Sequence, residues 1–226
     1  MSTVLIIGAS RGIGLELVRQ YGAAGERVIA TVRDEAGRER VRALGAQALM
    51  VDVANPASVS GLAWQLDGEK IDTALYVAGV MNRAGATEPP TQPEFDRVMH
   101  TNVLGAMQVI PQVAPMVEAA NGGKGGRFGF ISSVMGQIGT VTSGNAWLYR
   151  VSKAALNMAV ASAQPSYPQA IMVALHPGWV QTEMGGESAP LTVQGSVTAL
   201  RATLGALTTA DRGRFLQHDG TPYPSW

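Results

Sequence analysis

Tyr149 and Lys153 stand four residues apart in Tyr149-Arg150-Val151-Ser152-Lys153, a stretch that continues as a helical pattern through Ala159. On a helix the two side chains share one face. An ammonium beside a phenol favours the phenolate, which predicts a Tyr149 pKa below the ordinary value of about 10. Such a tyrosine can exchange a proton with an alcohol or a carbonyl oxygen. The same spacing occurs on ordinary surface helices, so the meaning of the pair depends on what the chain brings to the same place.

The elements that would position the pair come from the rest of the 226 residues. With 46% hydrophobic content the chain can bury a substantial core, and it reads as one domain spanning 1–226. Lys+Arg and Asp+Glu are 17 each and form no basic stripe, which argues against nucleic acid as a partner. The absence of cysteine excludes disulfides, a thiol nucleophile and a Cys-based zinc site. No histidine or carboxylate cluster has metal-ligand spacing, so no metal is expected. No apolar run approaches the roughly 20 residues of a membrane span, and no basic region precedes the first strand. The expectation is a soluble cytoplasmic protein with no membrane partner.

Apolar runs alternate with helical patterns from end to end. Strands are predicted at 4–7, 28–32, 48–51, 73–77, 127–131, 170–175 and 214–217. Helices are predicted at 15–23, 35–44, 59–66, 95–110, from Tyr149 to no further than Gln164, and at 192–207. Residues 81–93 and 134–147 read as loops. Continuous apolar strands between helices indicate a parallel sheet covered on both faces. The fold class is therefore α/β, a Rossmann-type doubly wound sheet, in which ligands bind beyond the carboxyl ends of the strands.

The candidate residues lie at those ends. Gly8-Ala9-Ser10-Arg11-Gly12-Ile13-Gly14 joins the first strand to the first helix. Backbone N–H groups at such a helix start attract phosphate, and the glycines allow close approach of a pyrophosphate. The second strand ends at Val32-Arg33, where an NAD-binding chain would carry an acidic residue. Arg33 and Arg11 suit the 2′-phosphate of NADP(H), although Asp34 could instead pair with one of them. Asp52, followed by Val53, could accept a hydrogen bond from an adenine amine or cap the turn at Asn55-Pro56. Ala78-Gly79 closes the fourth strand and leaves room for a cofactor. Asn102 interrupts a long helix and either binds backbone or water, or faces solvent. Ser132-Ser133 ends the fifth strand, and His176-Pro177-Gly178-Trp179-Val180-Gln181-Thr182 follows the sixth. His100 and His176 read as packed or hydrogen-bonded histidines and not as acid–base groups.

Together these motifs resemble the short-chain dehydrogenase/reductase family over the whole chain. The resemblance matches the glycine loop, Asp52, Ala78-Gly79, Asn102, the Ser132-Ser133 pair, Tyr149, Lys153, Pro177, Gly178 and Thr182. Tyr149 to Asn157 and the ending 213–220 are similar to C-factor-like and sniffer-type carbonyl reductases. The resemblance implies that NADPH gives hydride to a carbonyl carbon and Tyr149 gives the proton. Ser133 would orient the oxygen, and Lys153 would lower the Tyr149 pKa and hold the nicotinamide ribose. Asn102 would anchor a relay water, and the loop with Pro177, Gly178, Val180 and Thr182 would meet the cofactor. It also implies a homodimer or homotetramer. Ile7 stands where the family carries Thr, and Tyr76-Val77 where it carries Asn-Asn, so a change in how the central strands are tied is expected. The stretch from Ser133 to Tyr149 is longer than in many members, which leaves Ser132 or Ser133 open as the catalytic serine. The short loop 182–191 implies an open substrate pocket. The expected function is reversible NADPH-dependent carbonyl reduction; the alternative is a cofactor-binding sensor or signalling protein with little turnover. An isomerase or dehydratase would need a further acid–base pair, and none stands out.

Overall fold

Seven strands form one sheet in the order β3-β2-β1-β4-β5-β6-β7 in the computed structural model, which describes residues 1–226. The strands are β1 (Thr3–Ile7), β2 (Arg27–Val32), β3 (Gln47–Met50), β4 (Thr73–Tyr76), β5 (Arg127–Ile131), β6 (Ile171–His176) and β7 (Phe215–Gln217). Every neighbouring pair is parallel. The strand order reverses between β1 and β4, which opens a crevice at their carboxyl ends.

Alternation along the strands divides the core in two. On one face Leu5, Ile7, Tyr76, Phe128 and Phe130 pack with Val109, Val113, Leu156 and Val160, from the helices Gly105–Glu118 and Trp147–Ala163. On the other, Val4, Ile6, Leu75 and Leu175 pack with Leu17, Val18, Val197 and Leu200, from the helices Gly12–Ala23 and Val193–Ala206. Burial on both faces is why the strands read as unbroken apolar runs. The expected Rossmann-type parallel sheet is the observed one.

Four boundaries differ from expectation. The first helix starts at Gly12, so the glycine loop ends inside its first turn. The helix predicted at 59–66 is two single turns, Pro56–Val59 and Leu62–Gln65. The loop predicted through Pro93 ends at Thr91, whose side chain and Glu94 form a capping box for the helix Gln92–Met99. The predicted stop at Ile110 is passed as well. The helix Gly105–Glu118 runs through Pro111 and Pro115. Both prolines face solvent, where water can serve the carbonyls they release, while Val109, Ile110, Val113, Ala114 and Val117 stay buried. Burial of that stripe outweighs the cost of two prolines.

A π-helical turn, His100–Leu104, joins the helices Gln92–Met99 and Gly105–Glu118. Such turns insert a residue into the helix and redirect side chains, often at functional sites. Here the turn holds Asn102. The fully buried Tyr76 hydroxyl donates to the Thr101 carbonyl at 2.6 Å. Tyr76, standing where an Asn was expected, thus ties the end of β4 to the π turn. Replacing Tyr76 by Phe leaves that carbonyl buried without its donor. The expected cost is about 1–3 kcal/mol of stability, read as a lower midpoint in denaturant unfolding with an unchanged slope.

Candidate active site

The helix Trp147–Ala163 is turned by its own buried stripe. Leu156 and Val160 are fully buried in the core, and Tyr149, Ser152 and Lys153 continue the same face toward the carboxyl edge of the sheet. Tyr149 is 7% exposed and Lys153 3%. The Lys153 Nζ donates to the Ile131 carbonyl, the last of β5, at 2.8 Å, and lies 5.6 Å from the Tyr149 ring centroid.

The two serines after β5 separate cleanly. Ser132 Oγ donates to Asn157 Oδ1 at 2.6 Å and is spent beneath the site. Ser133 faces the Tyr149 phenol, and its Oγ also accepts from the Met135 N–H at 3.1 Å. Ser132 is thus taken up by Asn157, which leaves Ser133 as the serine beside the tyrosine. Asn102 is fully buried. Its Oδ1 accepts from Val80 N at 2.8 Å, and its Nδ2 donates to Val80 O and to Ser152 Oγ, both at 2.9 Å. Ser152 Oγ in turn donates to the Tyr149 carbonyl at 2.8 Å. One amide therefore joins the segment after β4 to the tyrosine helix. Sequence reasoning left Ser152 out, although its place three residues after Tyr149 puts it on the same buried face.

The glycine loop lies across the switch point. Gly8 has φ +91°, and a Cβ there would sit 2.6 Å from the Ala78 nitrogen, so only glycine fits between β1 and the exit of β4. Ala78-Gly79 is held by the Ala78 N–H donating to the Ile7 carbonyl at 3.0 Å. Gly12 and Gly14 lie in the first turn of the helix that follows, with Ser10 and Ile13 half-buried beside them. Thr182 closes the other wall: its methyl group would meet a Cβ on Gly12 at 3.5 Å, and its Oγ1 accepts from Gly185 N at 3.0 Å. Pro177 accepts from Ser196 Oγ at 2.6 Å, and Val180 bridges to Leu191. These contacts set the loop that was expected to meet a cofactor.

The outer residues sort less simply. Arg33 is exposed and stands 3.9 Å from Asp34. Arg11 is also exposed and pairs with Glu183, which links the glycine loop to the Thr182 loop. Arg40, which sequence reasoning passed over, donates from Nε to the Ser10 carbonyl at 2.9 Å and brings another guanidinium to the rim. Its signal was the Arg38, Arg40, Arg42 spacing in the helix after Arg33. Asp52 Oδ1 accepts from Ala54 N at 3.0 Å, so it caps its turn with one oxygen. His100 is exposed, and burial, with His218 nearby, lowers His176 to about 4, which keeps it neutral.

The family model for short chain dehydrogenases matches residues 2–191, and the chain belongs to that family. It is 33% identical to 1-hydroxy-2-glutathionyl-2-methyl-3-butene dehydrogenase of Rhodococcus sp. (strain AD45), over 98% of this chain and 98% of the relative. Carbonyl reductase Sniffer of D. melanogaster superposes with a TM-score of 0.88 at 29% identity, covering 100% of both chains. A short-chain dehydrogenase/reductase from Burkholderia multivorans with bound NADP superposes at 0.87 with 32% identity, over 100% of this chain and 99% of that one.

The electrostatics correct one expectation. Burial pushes the Tyr149 phenol up to about 12, with the Ser133 side chain working against the rise. The same burial takes Lys153 down to about 8. Desolvation disfavours both charged forms and is the largest cause of each shift. Lys153 therefore binds fewer protons folded than unfolded between about pH 8 and its ordinary value near 10.4. In that window stability rises with pH. Relative to Lys153→Met, the wild-type protein is expected to gain unfolding free energy from pH 8 to pH 10, measured by urea titration at each pH. A constant difference between the two would contradict the burial of a titrating amine.

Proposed function

We propose that the protein is an NADPH-dependent carbonyl reductase and that Tyr149 is its proton donor. The observation that carries this reading is the buried Tyr149 beside Lys153, with Ser133 facing the phenol, at the crevice opened by the strand reversal. The glycine loop fits a dinucleotide, because it runs from β1 into the first turn of the helix Gly12–Ala23 at the strand reversal, where free N–H groups suit a pyrophosphate. Gly8, Ser10, Gly12, Ile13 and Gly14 would hold its pyrophosphate. Arg33 and Arg40, and Arg11 by exchange from Glu183, would hold a 2′-phosphate. Asp52, through its second oxygen, and Val53 would meet the adenine. Ala78, Gly79, Pro177, Gly178, Val180 and Thr182 would frame the nicotinamide half. The NADP bound to the Burkholderia relative supports this choice.

When bound, NADPH supplies the hydride. Ser133 donates a hydrogen bond to the carbonyl oxygen and turns it toward Tyr149. Tyr149, a neutral phenol at pH 7, gives that oxygen its proton. The phenolate left behind faces the Lys153 ammonium, which stabilises it and holds the nicotinamide ribose. Asn102 has both amide protons committed to protein partners, so it would hold a relay water through its remaining acceptor capacity. The same chemistry run backward oxidises an alcohol.

Trp147, Val151 and Met158 form an exposed apolar stripe on the outer side of the tyrosine helix, which supports a homodimer or homotetramer through that helix. No helix is long and apolar enough to cross a membrane. As an NADPH-dependent reductase, the protein is placed in the cytoplasm in this reading.

The test is consumption of NADPH and NADH over aldehydes, ketones and diketones. NADPH should be preferred, and Tyr149→Phe should lower kcat by at least about 100-fold while NADPH still binds. Reduction should weaken as pH rises through about 8, where Lys153 loses its proton. Arg33→Ala and Arg40→Ala should each raise the KM for NADPH and leave that for NADH unchanged. Tight NADPH binding with no turnover on any carbonyl would favour the sensor reading instead.

A further inference from the structure

Gln137 is 3% exposed, yet Ile138, Gly139 and Thr140 beside it are all exposed. It lies in the stretch between Ser133 and Tyr149, and every polar atom of its side chain is engaged. Its Nε2 donates to the Ser225 carbonyl at 3.1 Å and to Ser225 Oγ at 3.3 Å. Its Oε1 accepts from Thr140 Oγ1 at 3.0 Å. The neighbouring backbone repeats the grip: Ile138 N and Gly139 N donate to the Trp226 backbone oxygen at 3.0 and 3.3 Å.

The segment holding this loop is anchored across the sheet. Tyr223 N donates to the Phe215 carbonyl at 3.0 Å, and Pro222 bridges to Leu216. The Phe215 ring stacks with Tyr223 at 4.4 Å and with Trp226 at 6.2 Å. Tyr223 also lies 6.4 Å from His176, the last residue of β6. Residues 223–226 thus form a strap from β6 and β7 to the loop that leaves β5.

One 3₁₀ turn, Val134–Gly136, separates Gln137 from Ser133. At its start the Met135 N–H holds Ser133 Oγ. At its end Gly136 lies so close to the tyrosine helix that a Cβ would sit 2.7 Å from the Lys153 carbonyl carbon. So short and tightly seated a turn has little slack. It is the direct path from Gln137 to the Ser133 oxygen.

We propose that Gln137 is a positioning residue for Ser133, held in place by the strap through Ser225 and Trp226. This rests on the reading of Ser133 as the hydroxyl that receives the carbonyl oxygen. A mere seal between strap and loop would affect stability alone. A positioning contact affects the chemical step, because small displacements of a reacting group carry large kinetic penalties.

The experiment compares the full-length wild type, Gln137→Leu, Trp226→Ala, Ser133→Ala and Ser133→Ala/Gln137→Leu, with NADPH and the best carbonyl from the panel above. Gln137→Leu should lower kcat by about 10-fold or more, with NADPH affinity within about two-fold of wild type. Trp226→Ala, at a partly exposed position, should lower kcat in the same sense, and it keeps the test open if Gln137→Leu fails to fold. In the Ser133→Ala background, Gln137→Leu should cost little more, because its effect passes through the serine. Wild-type kcat in Gln137→Leu or Trp226→Ala, or fully additive losses in the double variant, would overturn the proposal while leaving the reductase reading intact. A wild-type protein without turnover, or Tyr149→Phe with full turnover, would overturn that reading and the positioning role with it.

Discussion

A buried amine with one protein acceptor governs the arrangement of the site. Lys153 reaches from the tyrosine helix to the last carbonyl of β5, and at 3% exposure no solvent shell replaces that bond. Burying such a group is costly unless it is hydrogen-bonded. The helix must therefore lie with its first turns over the carboxyl end of β5, and Leu156 and Val160 lock that placement from below. Once the helix is there, Tyr149 stands at the crevice and Ser133 faces it. Gly136 is required where the next turn meets the helix backbone.

The same burial sets the resting charges. A phenol moved up to about 12 and an amine moved down to about 8 make a pair whose first act is to give a proton. The transfer creates the one state in which the two attract most strongly, phenolate beside ammonium. Low dielectric surroundings disfavour the charges separately and reward them together.

The surrounding walls divide into permanent and adjustable parts. Asn102, Ser152 and Tyr76 are fully buried and hydrogen-bonded, and they join β4, the π turn and the tyrosine helix. The Arg11–Glu183 pair, with side chains 61% and 75% exposed, bridges the two loops that flank the cofactor crevice. Exposed pairs of this kind contribute little stability. The scaffold around Tyr149 is therefore held by the interior, while the rim is bridged by an exposed ion pair.

Most of the architecture was legible before any coordinates. Unbroken apolar runs and helical patterns located the strands and main helices, and the glycine loop, Asn102, the serine pair, Tyr149 and Lys153 fell at strand ends or on helices beside them. The misses share a cause. The helix read as ending at Ile110 continues through Pro111 and Pro115, because local propensity ignores the buried stripe opposite them. Ser152, Arg40 and Gln137 were passed over because their partners lie 50, 30 and 88 residues away in the chain. The sequence by itself determined the order of the elements and the chemical groups available, since both are written in local spacing and residue type. Only the tertiary structure decided which serine is committed to Asn157, which way burial moves the two pKa values, and what holds the loop after Ser133. Those depend on desolvation and on contacts between distant segments, which no local pattern encodes.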